Sequence, residues 1–108
     1  MNIEIKDNKN VYLIDVECIW LIESCGNYCK VYFKDQRLMK CISLNNIALG
    51  LPDWFIRVHR NRIVNVAYVT KIIYEDIYIN GIIVKGSRRG LVLLNKYISL
   101  MNRIIIKV

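Results

Sequence analysis

The sequence predicts a mainly β domain, seven or more short antiparallel strands with two modest helices. Three observations carry that prediction. Runs rich in β-branched and aromatic residues, such as NIEIKD, VYLIDVECIWLIES and KVYFKD, recur along the chain. Gly-Asn and Asn-Gly dipeptides fall between such runs, where a hairpin needs residues that tolerate positive φ. Only two segments, behind Ser43 and behind Ser87, repeat apolar residues at helical spacing after a capping residue.

Taken in order, NIEIKD alternates as an opening strand, and VYLIDVECIWLIES continues in strand. Residues 17–35 read as a hairpin that turns at Gly26-Asn27 and returns through KVYFKD. Asp35-Gln36 is the next turn, ahead of RLMKCI. Ser43 caps LNNIALGLP, in which Leu44, Ile47, Ala48 and Leu51 share a face, and Gly50 and Pro52 end the helix early. From Trp54 the chain returns to strand with FIRVH. A short turn or helical piece is expected over Arg60–Asn65, followed by the strand VTKIIY. Asn80-Gly81, between DIYI and IIVK, is suited to a type I′ hairpin turn. Ser87 then caps RRGLVLLNKYISLMN, a carboxy-terminal helix with Leu91, Leu94 and Ile98 inward.

The 108 residues fit a single domain over 1–108, with no linker, low-complexity tract or repeat. A hydrophobic content of 55% excludes disorder. No apolar run approaches the roughly 18 residues of a membrane span, and MNIEIKDNKN has no hydrophobic signal region. A cytoplasmic protein with no membrane partner is therefore expected. Cys18, Cys25, Cys29 and Cys41 lack a second close pair or a nearby histidine, so reduced cysteines with no metal and no cofactor are expected.

Charge is unevenly spread. Residues 1–53 hold six Lys/Arg against seven Asp/Glu, and residues 54–108 hold ten against Glu75 and Asp76 alone. So one-sided a half-chain is the footprint of a polyanion binder, although an acidic protein partner would give the same bias. Catalysis finds little support: there is one histidine, no Gly-rich phosphate loop and no nucleophile elbow, so neither an enzyme nor a small-molecule substrate is expected. The basic and polar residues fall in three loop-like places. These are Asn27-Tyr28 with Lys30, Arg57 to Arg62, and Lys85 with Arg88 and Arg89. Arginine suits a DNA face because its planar fork can pair with two acceptors on guanine or phosphate. His59 and Asn65 read as structural, bonding local backbone at a strand end and a turn.

These residues also carry a resemblance. IWLIESCGNYCKVYF, SLNNIALGLPDWFIRVHRNRIVNVAYVTKI and INGIIVKGSRRGLVLL resemble the LytTR DNA-binding domain of bacterial transcription regulators. The family's hairpin "I-x-x-I-E-x-x-G-N-Y", its centre "F-x-R-x-H-R-S-x-x-V-N" and its "S-R-R" all have counterparts, over roughly residues 3 to 103. The resemblance implies an elongated β-β-β sandwich of short antiparallel strands with one or two short helices. It also implies a sequence-specific binder of double-stranded DNA that sends loops into successive major grooves, with a homodimer on tandem direct repeats. Carried over by position, the contacts would be Asn27, Tyr28 and Lys30, then Arg60, Asn61 and Arg62, then Lys85, Arg88 and Arg89, with Arg57, His59 and Asn65 as support. Asn61 stands where the family often has serine, so an amide replaces a hydroxyl. Cys29 and Cys41 match no family pattern. Family members commonly carry a receiver or membrane domain ahead of this one. With Met1 directly before the first strand, the expectation is either a stand-alone regulator or a piece of a larger one. Two rival readings use the same basic face: a protein-interaction module for an acidic partner, and an RNA binder. The latter needs exposed aromatic platforms, whereas Tyr32, Phe33 and Tyr74 are expected in core or sheet packing.

Overall fold

The computed structural model describes residues 1–101 and the backbone of residues 106–107. Its strands form three sheets. Strands β1 (Asn2–Asp7) and β2 (Asn10–Asp15) make a two-stranded ribbon. The central sheet holds β3 (Ile19–Cys25), β4 (Tyr28–Phe33), β5 (Gln36–Lys40), β6 (Phe55–His59) and β7 (Arg62–Asn65), in the order β5-β4-β3-β7-β6. The third sheet holds β8 (Val69–Ile73), β9 (Asp76–Ile79), β10 (Ile82–Lys85) and β11 (Ile106–Lys107), in the order β10-β9-β8-β11. All pairings are antiparallel except the two-residue β11 on β8. Helix α1 (Leu44–Leu49) joins β5 to β6, and α2 (Arg88–Leu100) follows β10. The molecule is elongated, 45 × 24 × 23 Å.

The central sheet is buried on both faces, which sets the layering. Ile19 and Ile22 of β3 and Ile63 of β7 join one core with Ile5, Ile14, Leu44 and Ile47 from the ribbon and α1. Trp20, Leu21, Val58 and Val64 join a second core with Ile72, Ile77, Ile79, Leu94 and Ile98 from the third sheet and α2. Three stacked β layers result, the mainly β domain that the sequence predicts and the sandwich that the resemblance implies.

Local chemistry explains most boundaries. Ser43 and Ser87 cap their helices by accepting from the N–H of Asn46 and Gly90 at 3.1 and 3.0 Å. Asn80 and Gly81 both take positive φ, +46° and +85°, as a type I′ turn requires. Leu94 and Ile98 of α2 are buried, and Leu91 is half-buried.

Four sequence expectations are corrected. Arg62–Asn65 is a strand rather than a turn or helical piece, with only Arg60-Asn61 forming the bend. Its partners, β3 and β6, bury three successive residues, Ile63, Val64 and Asn65, so the alternation that marks a half-exposed strand is missing. The first long hairpin spans residues 19–33, because Asp15 caps a 3-10 turn, Val16–Cys18, that interrupts the strand. The next turn falls on Lys34-Asp35, with Lys34 at φ +52° and Gln36 already paired to Phe33. Tyr74 is not packed: it sits in the β8–β9 turn and is 82% exposed. Phe33 is buried, and half-buried Tyr32 tilts against Trp20 at 5.2 Å between ring centroids.

Candidate nucleic-acid interface

Antiparallel pairing brings the turns together. Because Glu23 pairs with Arg62, the end of β3 lies beside the start of β7. Ser24 N–H donates to the Asn61 carbonyl at 2.9 Å, and Ser24 Oγ lies 3.2 Å from Asn61 Oδ1 in a side-chain hydrogen bond. The Gly26-Asn27 turn and the Arg60-Asn61 turn thus share one end of the central sheet. The start of α2 docks on the same region. Ser87 N–H donates to the Val58 carbonyl at 2.7 Å. Gly90 permits this approach, since a Cβ there would lie 1.9 Å from Val58 O. Between the two elements runs a groove of about 410 Å³, lined by Arg57, His59, Arg60, Ser87, Arg89 and Gly90.

Side chains on this end divide into engaged and free. The Arg57 guanidinium donates to Asn45 Oδ1 and to the Arg60 carbonyl, so its fork holds the turn. His59 Nδ1 accepts from the Asn61 N–H at 3.2 Å, which clamps the same turn from within. Asn65, 1% exposed, donates from Nδ2 to the Ile19 carbonyl at 2.8 Å and accepts from the Ala67 N–H at 3.0 Å. It therefore ties β3 to the bend after β7. Arg62 donates from Nε to Glu23 Oε2 at 2.9 Å, and the Tyr32 hydroxyl donates to Glu23 Oε1 at 2.8 Å. The charge of Arg62 is balanced on the sheet.

Lys85 is likewise engaged, 2.5 Å from Asp76 Oδ1 and 3.6 Å from Glu75 Oε1. The hydrogen bond to Asp76, and then the two carboxylate charges, hold its ammonium above the ordinary lysine range. By contrast, Arg60, Arg88 and Arg89 are exposed, and among the described residues no acidic side chain pairs with them. Asn27 and Tyr28 are exposed at the first turn, whereas Lys30 is half-buried along β4. Of the nine basic or polar residues that sequence and resemblance suggest as contacts, five are free and outward: Asn27, Tyr28, Arg60, Arg88 and Arg89.

Sequence reasoning overlooks Ser24, Gly90 and the Glu23–Tyr32 pair. A glycine three residues into a helix is weak for propensity, and that is the one signal Gly90 offered. Nothing local to Ser24 or Glu23 points to partners 37 and 39 residues away. All four cysteines are free: Cys29 is buried and bonds its Sγ to the Ile42 carbonyl, Cys18 is half-buried, and Cys25 and Cys41 are exposed. Burial pushes the Cys29 thiol up, against a smaller opposite pull from the Arg57 charge. Among the described residues no group of His, Cys, Asp or Glu is placed to hold a metal ion, and no helix is long and apolar enough to cross a membrane.

A family model, that of the LytTr DNA-binding domain, matches residues 9–100. The chain belongs to the LytTr family. The LytTr domain is a DNA-binding domain of transcription regulators. A search of solved structures aligns this LytTr domain with the LytTr DNA-binding domain of a putative methyl-accepting/DNA response regulator from Bacillus cereus, at a TM-score of 0.74 and 21% identity. The alignment covers 94% of this chain and 97% of that one, a likeness of fold. Among curated proteins it is 32% identical over 71 residues to the heme-containing CO-sensing transcriptional regulator RcoM 2 of Paraburkholderia xenovorans (strain LB400). That match covers 65% of this chain but only 27% of the relative, so the chain spans about a quarter of the regulator's length.

Proposed function

We propose that this LytTr domain binds double-stranded DNA sequence-specifically, as the DNA-reading part of a bacterial transcription regulator in the cytoplasm, and that residues 1–108 act as one domain. One observation carries the reading: exposed, unpaired arginines, Arg60 and Arg89, line one groove at the end where three turns meet. Arg60 and Arg89 read base edges, because a guanidinium fork matches the two acceptors of guanine in the major groove. Arg88, Asn27 and Tyr28 contact the backbone and set register. Asn61 takes part through its amide. Lys30 sits on β4 behind the first turn and adds positive potential. Arg57, His59 and Asn65 hold the turn in place, and Arg62 and Lys85 neutralise acids that would otherwise repel phosphate.

The long axis of 45 Å exceeds the roughly 34 Å of one DNA turn, so a domain laid along the duplex spans more than one major-groove opening. Two copies side by side would then occupy tandem direct repeats, a homodimer assembled on DNA. Selection from a fragmented genomic DNA library tests the reading. Recovered duplexes should share a short motif that recurs in direct orientation, and footprints should cover both copies. Recovery of unrelated sequences at equal affinity would overturn sequence-specific binding.

A further inference from the structure

The β8–β9 turn, Tyr74-Glu75, belongs to none of the three loops assigned above. Yet it lies against one of them: Gly86 N–H donates to the Glu75 carbonyl at 2.9 Å, one residue before the Ser87 cap of α2. Backbone hydrogen bonds therefore link these regions in series, Ser24 to Asn61, Ser87 to Val58, and Gly86 to Glu75.

Tyr74 itself is unusual on two counts. Its backbone sits at φ +54°, a left-handed conformation that a bulky L residue adopts only at a cost. The other positive-φ positions carry Asn, Gly or Lys, which suit turns or solvent. Its side chain is 82% exposed, and its hydroxyl has no hydrogen-bond partner among the described residues. A large amphipathic ring held out at a strained tip does nothing for the core. The turn and the first residue of β9 carry Glu75 and Asp76, the only acids in the basic half of the chain, which would repel a polyanion. Both lie within ion-pair distance of Lys85. Lys85 thus offsets one of the two negative charges and leaves the turn at net −1, with its one outward donor free.

We propose that the β8–β9 turn is a fourth DNA-contacting element, in which the Tyr74 hydroxyl donates a hydrogen bond to a backbone phosphate beside the Ser87–Arg89 loop while Lys85 offsets part of the charge of Glu75 and Asp76. Tyrosine hydroxyls are ordinary donors to phosphate oxygens, and such a contact positions the protein without reading sequence. The inference rests on the DNA face proposed above.

Because the contact is to phosphate, a labelled mixed-sequence duplex at low ionic strength serves as probe. Tyr74→Phe keeps the ring and the backbone and removes only the donor. It should weaken binding about three- to tenfold with an unchanged melting temperature. Tyr74→Gly should weaken binding at least as much while its melting temperature stays level or rises, since glycine relieves the strained φ. Arg60→Ala and Arg89→Ala in the same assay separate the two layers of the reading. If they weaken binding and Tyr74→Phe does not, the fourth element is wrong and the DNA face stands. If wild-type protein fails to bind the duplex, the DNA face fails and takes this inference with it. A melting loss in Tyr74→Gly would show that the ring packs rather than contacts DNA, and would also overturn the assignment.

Discussion

Arg57 and Arg60 are three residues apart in one basic run, yet their surroundings give them opposite work. Arg57 spends its fork on Asn45 and on the Arg60 carbonyl, while the Arg60 side chain is exposed and unpaired. Arg60→Ala should therefore weaken the best DNA site about five- to a hundredfold, the worth of about 1–3 kcal/mol of base discrimination, with melting unchanged. Arg89→Ala should do the same at a different base pair. Binding isotherms against matched and single-mismatch duplexes check both, and an unaltered mismatch preference would remove them as base readers. Arg57→Ala should instead lower stability by about 1 kcal/mol through the freed turn. Asn65→Ala is the severe case. It strips the buried Ile19 carbonyl and the part-buried Ala67 N–H of their partners, at a cost on the order of 3 kcal/mol in a urea unfolding curve. The sequence already places these side chains together, since Arg57 to Arg62 form one basic run. It could not sort Arg62 from Arg60, because the carboxylate that claims Arg62 sits 39 residues earlier.

Elements with their own local signals were legible, and elements defined by distant partners were not. The Asn80-Gly81 turn and the Ser43 and Ser87 caps depend on residues within reach of one another, so each shows in the sequence. Strand β7 depends on β3, some forty positions away, and its unbroken burial erases the period of two. Tyr74 was misplaced for the converse reason: an aromatic after VTKII looks like strand, and the turn that ejects it is set by the β8–β9 register. The docking of α2 on β6 was equally hidden, and it yields a prediction. Gly90→Ala should gain up to about 1 kcal/mol of helix propensity but drive a methyl into the Val58 carbonyl. The clash should win, with a net loss on the order of 2–3 kcal/mol and weaker DNA binding as the Ser87–Arg89 loop shifts. Gly50→Ala is the control. Its new Cβ would meet only Ile47 O at 3.9 Å, so melting should hold or rise slightly. Equal behaviour of the two variants would mean that the α2–β6 contact is not tight.

Across the whole molecule, charge and layering answer to different constraints. The three layers exist because the central sheet has two apolar faces to cover, one under the ribbon and α1, the other under the third sheet and α2. Charge then accumulates where the layers end in turns. The imbalance visible in the sequence, net −1 over residues 1–53 and +8 over 54–108, survives folding in part only. Arg62 and Lys85 are paired with Glu23, Glu75 and Asp76, which leaves Arg60, Arg88 and Arg89, among the described residues of this end, free to meet phosphate or base. With Lys30 and contributions from the paired cations, on the order of four to six phosphates would be neutralised. Each releases about 0.9 of a condensed counterion, so affinity for duplex DNA should fall by about two to three decades between 50 and 200 mM salt. The Glu75→Gln variant should bind no more weakly than wild type, because it removes an acid whose charge Lys85, held closer to Asp76, only partly offsets. Lys85→Ala should weaken every duplex alike, since it exposes both carboxylates at once. Isotherms at four salt concentrations for each protein decide the matter. A flat salt response would assign the basic end to an acidic protein partner instead of DNA.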